Sequence, residues 1–291
     1  MIAKVVVDFS TFQDQNSKSC IVKELSLIDV DSLCIQHYIF KSPKDVWDTP
    51  TYDSAIVRHN NWLSTHFHGL NYYEGDVKYS DLSRTLDYIC DKVQFIFAPT
   101  TEKAAALEEM LSGRRVVISL ELMGYQPLSV NTLNVNSENQ CLIHRIYAPG
   151  FYCTQGSVLK LAKWCKDNAT RLNMDDAAAR KNTFGVWHLS SPSAVDLAEH
   201  GFVKYAGTKD STKCVYCGVD LFQWKEEDDP FKDHKLHSPF CKLIARMEER
   251  KELNSDASRD VATQCDCFGC GFRGEDTVEG VACIDGFSCR A

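Results

Sequence analysis

The sequence predicts an α/β domain with a mixed sheet over residues 1–170, a small second domain over 175–253 and a cysteine-rich tail over 254–291. Three observations carry this reading. Three apolar runs separated by short polar turns open the chain, and two more apolar runs then alternate with amphipathic segments. A Cys-x-x-Cys pair at 214 and 217 is followed by His234 and Cys241. Five further cysteines (265, 267, 270, 283 and 289) crowd the glycine-rich C-terminal sequence.

In chain order, Val5-Val6-Val7-Asp8-Phe9 reads as a buried strand, β-branched and uninterrupted. A polar turn at 14–17 leads to a second strand over 20–28, and a turn at 29–32 to a third over 34–40, which together make an antiparallel meander. Beyond Pro43 and Pro50, the spacing of Leu82, Leu86, Ile89 and Val93 gives an amphipathic helix. A fourth strand covers 94–98. Thr100 or Thr101 can cap a helix over 102–111 that Gly113 ends, and 116–120 is a fifth strand. Val158, Leu161, Ala162 and Cys165 mark one face of a last helix before a polar join near residue 170. Past the join, acids lead a short helix over 175–181, and a serine among 190–193 caps another through Val195 and Leu197 to Glu199, ended by Gly201. Leu243, Met247 and the charged run 248–252 extend a helix that Asn254-Ser255-Asp256-Ala257-Ser258 is expected to break.

Composition narrows the function classes. The net charge of −8 argues against a general nucleic-acid coat and leaves nucleic acid to a face of the first domain. No apolar run reaches the ~18 residues of a membrane span, and the N-terminal run enters Asp8 without the pattern of a secretory signal. No membrane partner is therefore expected. With no secretory signal, the 14 cysteines point to a reducing compartment, cytoplasmic with nuclear residence allowed.

Cys214, Cys217, His234 and Cys241 supply three thiolates and one imidazole, a closed set that structural Zn²⁺ prefers. The close pair fits a tight turn continued by Gly218. His234 and Cys241 lie seven positions apart, about two helical turns, so one short helix can present both. Protein fills all four positions, which leaves no place for a catalytic water and makes the metal a staple for a domain too small to bury much apolar area.

Around these ligands stand Arg180-x-x-Thr183-Phe184-x-x-Trp187, Leu197-Ala198, Gly201-Phe202, Tyr205, Gly207 and Asp210, then Gly218, Leu221, Trp224, Asp228-Asp229-Pro230 and Pro239. This pattern over residues 180–243 resembles the baculoviral inhibitor-of-apoptosis repeat (BIR) family. The resemblance implies a small α+β zinc domain with a short three-stranded sheet. It also implies a groove that receives a partner's free N-terminus by strand addition. Leu221 and Trp224 match groove-lining positions, Asp228 matches the acid that meets the ammonium group, and His237 stands where many members carry a second groove tryptophan. Survivin-like members have histidine there, which leaves the choice of peptide open. Read without the resemblance, 226–229 is a solvated acidic loop.

The meander followed by strand–helix–strand, with Asp8 at the end of the first strand, is similar to degenerate RNase H-like DEDD exonuclease domains. Such enzymes hold two metals on clustered carboxylates. Here Ser10 replaces the second acid of the first motif, and Glu102 and Glu121 are isolated strand-end acids, so solvated acids and an inactive scaffold are expected. Two other sets call for comment. His66 and His68 read as a helix end packed by Trp62. Cys141, His144 and Cys153 could form a second metal set that Cys165 would complete; against this, Cys165 lies on an apolar helix face, where a free cysteine behaves as a small hydrophobe. The tail, with five cysteines and no histidine, is short of the eight ligands of a RING; four of the five could hold a metal, or the tail could be disordered.

The resulting expectation is a non-enzymatic, inhibitor-of-apoptosis-like protein that binds free N-termini of caspases or pro-apoptotic antagonists and suppresses cell death. The alternatives are a metal-dependent 3′–5′ exonuclease with the repeat as a targeting module, and a survivin-like histone-tail adaptor, which is disfavoured because no long C-terminal helix of the kind survivin uses for assembly is evident in the sequence.

Overall fold

A computed structural model describes residues 2–14, 20–43, 54–127, 137–204 and 210–263. The tail cysteines, and Tyr205 and Gly207 of the repeat pattern, lie outside these described residues.

The opening meander is formed by β1 (Ile2–Gln13), β2 (Cys20–Asp29) and β3 (Ile35–Lys41), each antiparallel to the one before. Helix α1 (Ser54–Trp62) follows, then a two-residue edge strand β4 (Val77–Lys78) and helix α2 (Leu82–Lys92). Strand β5 (Val93–Ala98), helix α3 (Thr101–Met110) and strand β6 (Val117–Ser119) form a parallel crossover, and α4 (Leu142–Tyr147) and α5 (Thr154–Asp167) complete the region. The sheet runs β4-β3-β2-β1-β5-β6, with β5 parallel to β1, so it is mixed, as expected. Strand alternation divides the core. Val5, Val7 and Phe9 face Leu86, Ile89 and Leu107, whereas Val6, Ile28 and Phe97 face Val158, Leu161 and Ala162 on α5. Coverage on both faces is why β1 reads as a continuous apolar run. Thr100 caps α3, its side chain accepting from Lys103 N at 3.2 Å.

The second part comprises α6 (Ala177–Asn182), α7 (Ala194–Glu199), β7 (Phe202–Lys204), β8 (Thr212–Cys214), β9 (Asp220–Leu221), α8 (Pro230–His237) and α9 (Lys242–Thr263). Its strands form an antiparallel sheet of order β7-β8-β9. Ser193 caps α7 in a reciprocal box with Asp196, and Asp229 caps α8 ahead of Pro230. Phe184, Leu197, Phe202, Trp224 and Ile244 pack with Cys214 and Cys241 into one small core.

Residues Met1–Ala245 form one compact unit and Arg246–Ala291 another. Within the first unit, the segments on either side of residue 170 share a core: Val203 and Val215 pack in the cluster that holds Phe97, Ile118 and Val158. A buried ion pair, Lys213 Nζ to Glu108 Oε1 at 3.1 Å, joins β8 to α3. Burial pushes the Glu108 carboxyl up, against the pull of Lys213.

The expected end of the helix past the last ligand is corrected. The helix past the last ligand continues through Asn254–Ser258 to Thr263. None of those five residues is glycine or proline, and each costs at most about 0.7 kcal/mol relative to alanine in a helix, so polarity alone does not stop it.

Candidate metal centre and peptide-binding surface

The Cys-x-x-Cys pair is carried by the end of β8 and the turn into β9. Gly218 N donates to Cys214 O at 2.9 Å, and Gly218 has φ +74°, a left-handed turn conformation that glycine adopts without strain. Gly201 (φ +88°) allows the closest approach, since a Cβ there would stand 2.5 Å from Leu243 Cδ2 and 3.4 Å from Cys214 Sγ. His234 comes from the middle of α8, whereas Cys241 follows the end of that helix in the turn before α9, so the expectation that one short helix presents both is corrected.

The ligand atoms of Cys214, Cys217, His234 and Cys241 all lie within 4.8 Å of one another. Cys214 Sγ is 3.9 Å from Cys241 Sγ, and Cys217 Sγ is 3.3 Å from His234 Nε2. A tetrahedral zinc bound to three sulfurs and one nitrogen would space its ligand atoms by about 3.5–3.8 Å, so the donor set fits that ion. His234 Nδ1 faces the His200 carbonyl at 2.9 Å, which turns Nε2 toward the sulfurs, the outer-shell arrangement typical of metal-bound histidine. The electrostatics agree. Hydrogen bonding from Cys214 pushes the Cys217 and Cys241 thiols down, and the same contacts, with burial, push Cys214 up. Burial opposes a charged His234, but hydrogen bonds to Cys217 and Cys241 outweigh it and raise its pKa to about 9. Two of the three thiols are thereby favoured as thiolates, and a dication would take the place of the proton that His234 holds against them.

The four residues expected to line a groove sit in different surroundings. Leu221 is buried at the end of β9, the edge strand of the small sheet. Trp224 is only 7% exposed; it packs on Phe202, and its Nε1 donates to Thr212 Oγ1 at 3.1 Å. Asp228 is half-buried, with Oδ2 accepting from Lys225 N at 2.8 Å, and His237 is exposed. The sequence reading passed over Phe222, 58% exposed directly after the edge strand; an aromatic between buried Leu221 and the loop was the available signal.

In the large sheet, Asp8 departs from the expectation of a solvated acid. It is wholly buried, with one carboxylate oxygen bound by Lys103 Nζ and the other by Tyr152 OH. Lys103 Nζ also donates to Tyr152 OH at 2.9 Å, and burial followed by the Asp8 charge holds the Tyr152 phenol far above its ordinary range. Glu121 Oε2 accepts from Thr101 N at 3.0 Å at the start of α3, while Glu102 is exposed in its first turn. No other acid joins Asp8: among the described residues, neither set able to hold a metal includes it. Trp62 stacks on His66, as the helix-end reading required, and His68 is buried edge-on against Phe12. Cys165 packs in the core on α5, away from Cys141, His144 and Cys153, whose fourth neighbour is Glu24.

Residues 180–245 match the family described as BIR, Inhibitor of Apoptosis domain. "Apoptosis inhibitor IAP" of Cydia pomonella granulosis virus is 40% identical over 69 residues, covering 24% of this chain and 25% of the viral protein. "Baculoviral IAP repeat-containing protein 5.2" of Xenopus tropicalis is 38% identical over 81 residues, 26% of this chain and 52% of that protein. The chain therefore spans between a quarter and about half the length of these relatives. Among solved structures, DIAP1 BIR1 bound to a Grim peptide is 31% identical over 25% of this chain and 75% of the other, with a TM-score of 0.24.

Proposed function

From the premise that residues 180–245 are a BIR domain, we propose that the chain is an inhibitor-of-apoptosis-like binding protein that captures the free N-terminus of a caspase or a pro-apoptotic antagonist and so suppresses cell death. The observation that carries this reading is the family match in register with the Cys214, Cys217, His234 and Cys241 set. Zinc is the ion assigned there. It supplies no chemistry beyond cross-linking, because all four tetrahedral positions are filled by protein.

The recognition surface is the edge strand β9. An extended peptide adds as a fourth strand, its main chain pairing beyond Leu221, with Phe222 and the Trp224 edge offering apolar contact. Asp228 receives the terminal ammonium; its Oδ2 is engaged with Lys225 N, which holds the carboxylate in place. His237 replaces a flat indole wall with a smaller polar ring and sets the choice of side chains behind the first residue. The first 170 residues act as a scaffold without nuclease activity, since Lys103 occupies the Asp8 carboxylate where a divalent ion would have to stand. The proposed place of action is the cytoplasm, with nuclear residence allowed.

The test is fluorescence polarisation of the full chain with peptides bearing free alanine N-termini. Saturable binding that Asp228→Ala weakens at least tenfold supports the reading. Absence of binding to any free N-terminal peptide, or manganese-stimulated nucleotide release abolished by Asp8→Ala, would overturn it. A second reading, the histone-tail adaptor, is favoured by one observation: the 22-residue α9, a long helix following the last ligand. Preference for histone N-termini over caspase or antagonist sequences in the same assay would select it.

A further inference from the structure

Glu24, Cys141, His144 and Cys153 meet in the interior of the large α/β fold, with their ligand atoms all within 4.8 Å of one another and every one of the four residues buried. They come from the middle of β2, the residue that caps α4, the first turn of α4 and the residue that precedes α5. Cys141 Sγ is 3.1 Å from His144 Nδ1, His144 Nδ1 is 3.5 Å from Glu24 Oε1, and Cys153 Sγ is 3.6 Å from the same oxygen. Those separations are close to the roughly 3.3–3.8 Å edges of a tetrahedron around zinc with mixed sulfur, nitrogen and oxygen donors.

The surroundings aim the donors inward. His144 Nε2 faces the His68 carbonyl at 2.9 Å; as the protonated nitrogen it leaves the Nδ1 lone pair directed at the cluster. Glu24 Oε2 accepts from Thr154 N at 3.1 Å, which leaves Oε1 for the centre. Backbone N–H groups point at both sulfurs, Cys141 N at Cys153 Sγ (3.3 Å) and His144 N at Cys141 Sγ (3.5 Å), as suits thiolates. His37, held through Nδ1 by Ser26 Oγ at 2.7 Å, brings Nε2 to 3.5 Å from Glu24 Oε1, and that nitrogen has no hydrogen-bond partner. As an anion, a carboxylate buried beside two thiols and two imidazoles, with no salt bridge to a lysine or arginine among the described residues, is costly, and either a proton or a bound cation relieves that cost.

Catalysis by a Cys–His–Glu relay does not suit this geometry. Such a relay uses one imidazole nitrogen toward the nucleophile and the other toward the acid, whereas here both Cys141 and Glu24 face Nδ1 and a backbone carbonyl takes Nε2. The burial of both sulfurs also denies a substrate access.

We propose that Glu24, Cys141, His144 and Cys153 form a second structural zinc site, separate from the one in the BIR domain, which ties the segment 141–153 and the start of α5 to the centre of the sheet. Sulfur ligands select zinc over magnesium or calcium, and four protein donors close the site.

The experiment is metal analysis of the full chain, purified under reducing conditions without chelator. The Cys141→Ser/Cys153→Ser protein is expected to hold one zinc equivalent fewer than wild type, and Cys265→Ser/Cys267→Ser serves as a control for metal in the tail. An unchanged zinc content in the first variant, or a Cys141–Cys153 disulfide in reduced wild-type protein, overturns the proposal. If that variant does not fold, anomalous scattering at the zinc edge from wild-type crystals decides: a peak among Glu24, Cys141, His144 and Cys153 upholds the site, and a BIR-domain peak without one there overturns it. Peptide binding by the BIR domain enters neither readout, so either claim can fail alone.

Discussion

His234 and His144 are held in the same way, each with one ring nitrogen facing a backbone carbonyl at 2.9 Å and the other facing a cysteine sulfur at 3.3 or 3.1 Å. They differ in how far the chain travels to complete the set. Cys214, Cys217, His234 and Cys241 lie within 28 residues, on one hairpin, one helix and the turn that follows it. Glu24 reaches Cys153 across a sequence separation of 129. The first set can therefore assemble together with its domain and hold it folded. The second exists only once β2, α4 and α5 have packed, so the sheet core must come first. A metal cluster written locally is a folding device, while one written across the chain fastens a fold that already stands.

The largest expected effect tests this directly. Cys241→Ser removes a ligand on which the small core depends, and zinc binding in such domains contributes on the order of 10 kcal/mol to folding. Limited proteolysis should cut the variant within 180–245 while fragments of the large sheet persist. Equal resistance of the two regions would contradict the distinction. Cys153→Ser should instead lower the thermal midpoint and leave the strand signal in circular dichroism intact below it, because the sheet is covered by apolar clusters on both faces.

The contrast is sharpened by the contact that joins the regions. Lys213→Ala leaves Glu108 buried and unpaired, which should cost about 3–5 kcal/mol in chemical denaturation. Glu108→Leu combined with Lys213→Met should recover most of that loss; no recovery would mean that Lys213 acts through other contacts. Within the small core, Thr212→Val removes the acceptor for Trp224 Nε1 and the donor to Leu221 O, at about 1–3 kcal/mol.

The smallest effect concerns the α7 cap. Ser193→Ala should cost about 1 kcal/mol. Hydrogen bonds from the Ser193 side chain and backbone hold the Asp196 carboxyl below its ordinary value. Its contribution is thus present above the unfolded pKa of roughly 3.9 and is lost as pH falls through the lower folded value. The stability gap between wild type and Asp196→Asn should be flat at neutral pH and close below about pH 4; a gap that widened on acidification would contradict the assignment.

Legibility followed the same divide. The Val5–Val7 run, the 82–93 periodicity and the 214–241 ligand spacing could be read directly, because each pattern is complete within one short stretch of the chain. Glu24 could not be named as a partner of Cys153, although a charged pair Lys23-Glu24 inside an apolar strand was a signal that polar partners wait on both faces. The structure supplies them, backbone carbonyls of Phe40 and Tyr72 for Lys23 and Thr154 N for Glu24. The seat of Asp8 against Lys103 and Tyr152 was equally hidden, since the three residues meet only through the sheet and two separate connections. The edge strand β4 is two residues long and carries no periodicity to detect.

The central claim, capture of a free amino terminus by the BIR domain, is tested most directly by titrating the full chain with one alanine-initiated peptide and with its N-acetylated form by calorimetry. Acetylation removes the ammonium charge that Asp228 is assigned to meet, and the acetylated peptide should bind at least tenfold more weakly, about 1.4 kcal/mol or more. Equal affinity for the two peptides would contradict the account.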